Sequence, residues 1–117
     1  MFTALFLSLS LSCDLETPNT FEHGSFKPDS ERGERLAFAY GCASCHEISG
    51  IAGGSGTGPP LENWAKRKYI AGNLANRPAA LVKWIMNPQE VEPGSAMPAL
   101  GMTEKEAWDI AAFLYSQ

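Results

Sequence analysis

The chain has 117 residues, enough for one domain with a modest core. Hydrophobic residues make up 44% of it and charged residues 19%, which excludes a mainly disordered protein. A net charge of −4, with the few Lys and Arg scattered, excludes a basic nucleic-acid-binding surface.

The first feature in chain order is an apolar run from Phe2 to Leu11. It falls short of the about 20 residues that span a bilayer but suits the core of an export signal. The usual positive start is missing, since no Lys or Arg precedes Lys27. Residues 1–12 are therefore expected to form an export signal. Residues 13–29, with Pro18, Asn19, His23, Gly24 and Pro28 and no periodicity, read as a tether. The domain proper is expected over 30–117.

Within it, a first helix is predicted from Ser30, taken as its N-cap, toward Gly41, with Leu36, Ala39 and Tyr40 on one stripe. The stretch from Ser49 to Pro60 is a loop by composition. Its glycines lack the Lys-Ser/Thr and the preceding strand that a phosphate-binding loop needs. A second helix fits Pro78 to Met86, with Pro in the first turn, Asn76 as a candidate cap and Pro88 as its stop. Its apolar face would combine Leu81, Val82, Trp84 and Ile85. The last helix is announced by a capping box, Thr103 with Glu106, and by the stripe Ala107, Ile110, Ala111 and Leu114. No segment alternates like a strand, so the fold class is all-α.

The chemistry lies in Cys42-Ala43-Ser44-Cys45-His46, a C-x-x-C-H run. Two thiols three positions apart on one helical turn can each add to a vinyl group of the same porphyrin edge. The following imidazole then reaches the iron, so the motif predicts covalently attached haem. A thioredoxin-like pair needs a βαβ context, and zinc needs two further ligands. Neither is at hand: the other histidine, His23, is in the predicted tether, and Cys13 follows the apolar run.

A sixth ligand is sought among four methionines. Met1 is the initiator and Met86 reads as core, which leaves Met97, in a loop bearing Pro and Gly, as first choice and Met102 as second. A thioether opposite His favours ferrous iron and raises the reduction potential.

From Gly33 onward the chain resembles class I cytochromes c, most of all small bacterial ones and the haem-c domain fused to subunit II of some haem–copper oxidases. The resemblance rests on Y-G-C-A-S-C-H (40–46), T-G-P-P-L (57–61), Y-I-A-G (69–72), L-V-K-W-I-M-N-P-Q (81–89), P-G-S-A-M-P (93–98) and D-I-A-A-F-L (109–114). It implies three to four helices wrapped around one covalently bound haem c, ligated by His46 and Met97. It further implies that the Pro59 carbonyl accepts a hydrogen bond from His46 Nδ1–H. Leu61 should pack on the haem edge, and Gly33 should let Phe113 approach. Arg67, Tyr69 and Trp84 are implied candidates to bond the propionates, against plain packing for Trp84 and a solvated role for Arg67.

The N-terminal run ending in Leu-Ser-Cys13 resembles a bacterial lipoprotein signal, with Ser10 and Leu11 departing from its usual pattern. Lipid on Cys13 and ordinary cleavage nearby are both open, and either places the domain in the periplasm or on the outer face of the cytoplasmic membrane. With both axial positions filled, the expected function is one-electron transfer in a respiratory or photosynthetic chain, without catalysis. The expected partners are a quinol-oxidising complex, a terminal oxidase or a reaction centre. A fixed subunit of a membrane complex is the alternative. A peroxidase or gas-binding haem would need an open distal side. The acidic charge, increased by two propionates, would steer the protein toward a basic docking patch.

Overall fold

The computed structural model describes Gly24 and residues 26–117; the predicted signal, Cys13, His23 and most of the tether lie outside the described residues. Among the described residues four α-helices form: α1 (Ser30–Ala39), α2 (Pro78–Met86), α3 (Pro88–Val91) and α4 (Glu104–Tyr115). Two single 3₁₀ turns, Cys42–Ser44 and Trp64–Lys66, lie between α1 and α2.

α1 starts at Ser30 as expected, but its cap is Asp29. The Asp29 carboxylate accepts the Arg32 N–H at 2.9 Å, which satisfies one of the orphan donors of the first turn. Its buried face is also shifted from the expected stripe. Gly33 and Ala37 are buried, Leu36 and Tyr40 half-buried, and Ala39 is exposed. The spacing 33, 36, 37, 40 is one helical stripe, and it was hidden because Gly33 does not count as apolar.

α2 has the predicted bounds, with Pro78 at its first turn and Leu81, Val82 and Ile85 buried. Asn76 does not cap it. The preceding position, Arg77, makes no side-chain cap bond, and the Asn76 amide instead donates to the carbonyls of Trp64 and Arg67, both at 2.9 Å. Pro88 does follow the end of α2, and it also opens the short α3. The expectation of no strand needs one correction. β1 (Tyr69–Ile70) pairs antiparallel with β2 (Leu74–Ala75), Tyr69 opposite Ala75 and Ile70 opposite Leu74. Two residues a side are too few for any alternation to register in sequence.

α4 carries the predicted capping box. Thr103 Oγ1 accepts the Glu106 N–H at 3.2 Å, and Glu106 Oε2 accepts the Thr103 N–H at 2.8 Å. The Tyr40 hydroxyl donates to the same Glu106 oxygen at 2.6 Å, so the cap also ties the end of α1 to the start of α4. That phenol, more than the Thr103 N–H, holds the Glu106 carboxyl below the usual carboxylate range.

α1 crosses α4 at very close range. A Cβ on Gly33 would lie 1.9 Å from the Asp109 carbonyl oxygen and 2.9 Å from Phe113 Cβ. Phe113 does approach Gly33, but the nearest atoms belong to the Asp109 backbone. Asp109 itself is 1% exposed, the one buried charge among the described residues. Its carboxylate is satisfied by the Arg32 guanidinium, Nε at 2.6 Å and Nη2 at 3.0 Å, and by the Asp29 N–H at 2.8 Å. The helix pair, with α2 packed against α4, makes one wall of a core that includes Leu81, Ile85, Ile110 and Leu114.

Candidate cofactor site

α1 stops at Tyr40, and Gly41, at φ 75°, turns the chain into the Cys42–Ser44 turn. The N–H groups of Cys45 and His46 both point to the Cys42 carbonyl, at 3.3 and 3.0 Å. The C-x-x-C-H run is thus wound as a single tight turn, as the motif required. Both thiols are free, and burial pushes the Cys42 thiol above its ordinary value.

The glycine-rich loop folds back over this turn. Gly54 N–H bonds the Ala43 carbonyl at 2.6 Å, Gly58 N–H the Cys45 carbonyl at 2.8 Å, and Leu61 N–H the Glu47 carbonyl at 2.9 Å. It therefore serves to bring Pro59 against His46. His46 Nδ1 lies 2.7 Å from the Pro59 carbonyl oxygen. A carbonyl only accepts, so Nδ1 is the donor, and Nε2 is the nitrogen left to act as a metal ligand in the neutral ring. Gly58 makes room for the ring: a Cβ there would sit 2.3 to 2.8 Å from three imidazole atoms.

All nine residues expected at the site, Cys42, Cys45, His46, Pro59, Leu61, Arg67, Tyr69, Trp84 and Met97, line one cavity of about 520 Å³. That volume lies within the range of small-molecule and cofactor sites. Met97 is half-buried in this wall, and Met102, 8% exposed, lines it too, while Met86 does not. Leu61 is buried and Tyr69 is 63% exposed at the rim. Arg67 already has protein partners: its guanidinium donates to the Pro60 carbonyl and lies 5.1 Å from the Trp64 ring centroid.

Trp64, 4% exposed, is a wall residue that the sequence reading missed. Leu61, Trp64 and Arg67 recur every third position, and all three line the cavity. That period was the available signal, and a loop rich in Pro and Gly just before it concealed the turn. Among the described residues no cluster of three His, Cys, Asp or Glu could hold a metal ion by itself. Nor is any described helix long and apolar enough to cross a membrane.

The donor set fits haem: two thiols on one turn, an imidazole with its outer nitrogen already engaged, and a largely apolar cavity bearing thioethers. Solved structures share the fold. Cytochrome c2 from Paracoccus denitrificans superposes with a TM-score of 0.59 at 22% identity, covering 77% of this chain and 96% of that one. Ferric cytochrome c-550 from Paracoccus versutus gives 0.54 at 23% identity, with 77% and 98% covered.

By sequence, the chain is 33% identical over 88 residues to cytochrome c oxidase subunit 2 of Alkalihalophilus pseudofirmus, covering 74% of this chain and 25% of that protein. The corresponding subunit of Bacillus sp. (strain PS3) is 29% identical over 94 residues, with 76% and 26% covered. The chain thus spans about a quarter of the length of these curated relatives. The cytochrome c family model matches residues 30–117. The chain belongs to the cytochrome c family, c-type electron carriers with covalently bound haem.

Proposed function

We propose that the chain is a monohaem one-electron carrier, with the haem joined to Cys42 and Cys45 and its iron ligated by His46 and Met97. The observation that carries this is the His46–Pro59 contact inside a cavity that also receives both thiols and Met97. When bound, the haem supplies an iron that exchanges one electron between its ferric and ferrous states.

The chain's own residues set the conditions. Pro59 holds the Nδ1 proton, which orients the imidazole and strengthens Nε2 as a donor. Gly58 keeps the ring's flank clear. The largely apolar cavity wall and Leu61 exclude water, while Tyr69 at the rim marks the open edge. Arg67, Tyr69 and Trp84, which line the same cavity, would be the residues to bond the propionates. With His46 and Met97 both holding the iron, the group would be suited to outer-sphere electron transfer and closed to substrates, so we assign no catalysis.

Export from the cytoplasm, to the periplasm or the outer face of the cytoplasmic membrane, accords with Phe2 to Leu11, with lipid on Cys13 as the anchor. A quinol-oxidising complex, a terminal oxidase or a reaction centre would be the partners. The likeness to oxidase subunit 2 favours a second reading, a haem subunit fixed to a terminal oxidase.

Reductive titration of the purified holoprotein tests the carrier. It should show a single reversible one-electron step, and the ferrous form should leave carbon monoxide unbound. Tight carbon monoxide binding in the native state would overturn the six-coordinate assignment.

A further inference from the structure

The segment that carries Met97 has little holding it. From Ala96 to Met102 no backbone–backbone hydrogen bond forms among the described residues. Its geometry is set at the start, where Ser95 N–H bonds the Glu92 carbonyl at 3.1 Å and Met97 N–H bonds Ser95 Oγ at 3.2 Å.

Both ends of one side-chain amide grip that start. Gln89 Oε1 accepts the Gly94 N–H at 2.9 Å, and Gln89 Nε2 donates to the Ser95 carbonyl at 2.7 Å. Gln89 is on α3, next to Pro88, which is among the most fully buried side chains, so the amide stands on a fixed base. Gln89 itself is exposed. An exposed glutamine loses nearly all its rotamer freedom by closing a two-point ring. Exchange with water leaves the two bonds only a modest net gain, so the ring's consequence lies in what it orders. That is Ser95, and through Ser95 Oγ, Met97.

We propose that Gln89 is a positioning residue for the Met97 thioether, acting through Gly94 and Ser95. The inference rests on Met97 being the iron ligand as proposed above. Gln89 does not touch the cavity and changes none of its lining. It keeps the fraction of time for which the Met97 loop is open small. An external ligand can take the iron only while the loop is open, so its apparent affinity scales with that fraction.

The test uses the full-length holoprotein in the ferric state, titrated with imidazole and followed by loss of the sulfur-to-iron absorption band. Gln89→Leu keeps the stem and removes both bonds. It should bind imidazole about ten-fold more tightly, the factor expected when two net hydrogen bonds to an exposed loop are lost. Ser95→Ala should act in the same direction. The double variant should fall short of the product of the two, because both act along one chain of bonds.

The denaturant midpoint of Gln89→Leu should stay near that of the unaltered protein, since the α1–α4 crossing is untouched. Imidazole affinity within two-fold of the unaltered protein would overturn the proposal, as would a rise matched by a global fall in stability. Amide hydrogen exchange at Gly94 and Met97 gives a readout independent of the iron. Both should exchange faster in Gln89→Leu, and unchanged exchange would refute the role of Gln89. A missing sulfur band in the unaltered protein would instead refute Met97 as ligand, leaving the exchange result to decide on Gln89.

Discussion

Replacing Gly33 by Ala tests the helix crossing on which the domain is built. By propensity alone the change should help, since Ala is favoured over Gly in a helix by about 1 kcal/mol. The packing says otherwise. The new Cβ would stand 1.9 Å from the Asp109 carbonyl oxygen and 2.5 Å from its carbon. Non-bonded heavy atoms settle at about 3.5 Å, so α1 and α4 would have to part by about 1.5 Å. The obstacle is backbone, which cannot swing aside as a side chain can.

Overpacking in a close-packed core costs about 1–3 kcal/mol where side chains can adjust, and here the rigid neighbour puts the cost at the upper end or beyond. Parting the helices also draws Arg32 away from the buried Asp109 carboxylate. After the propensity gain, a net loss of about 2 kcal/mol is expected, equivalent to a fall of about 10 °C in Tm for a domain of this size. Thermal unfolding followed by far-ultraviolet circular dichroism measures it. A Gly33→Ala protein as stable as the parent, or more so, would refute the close-crossing argument.

Three further outcomes follow from the site and its surroundings. Gly58→Ala should displace the His46 ring, with overpacking of about 1–3 kcal/mol and a changed reduction potential, read by voltammetry and by the yield of haem-loaded protein. Met97→Ala should abolish the sulfur-to-iron band and lower the potential, whereas Met102→Ala, also in the cavity wall, should keep the band and lose stability as a core truncation. The Tyr115 hydroxyl is pushed up to about 12, chiefly by burial. A phenol raised in the folded state stabilises it below the ordinary value near 10, and that stability is lost as pH rises through the folded value. The denaturant midpoint should therefore decline between about pH 10 and 12, and Tyr115→Phe should remove that part of the slope.

The residues that carried the fold in sequence are those whose signals are local. Pro78 at a first turn and Pro88 beyond the end placed α2 to the residue, and the Thr103–Glu106 box placed the start of α4. His46 and the Pro59 carbonyl meet as the family resemblance implied, brought together by the glycine-rich loop between them. What stayed hidden depends on partners distant in sequence. Asp109 looks like a solvated charge until Arg32, 77 positions away, closes on it. Gly33 reads as a weak point in a helix until the Asp109 backbone fills the space beside it. Asn76 looked like a cap, yet it bridges the Trp64 turn and accepts the Tyr115 hydroxyl, and no local pattern encodes that. Gln89 was visible as part of a motif, but its role lies in a ring of bonds to Gly94 and Ser95.

The most direct test of the central claim is the mass of the protein matured in a bacterial periplasm and measured after denaturation. One haem mass should remain on the chain, and proteolysis should locate it on the peptide holding Cys42 and Cys45. A polypeptide that sheds its haem on denaturation, or carries it elsewhere, would contradict the account.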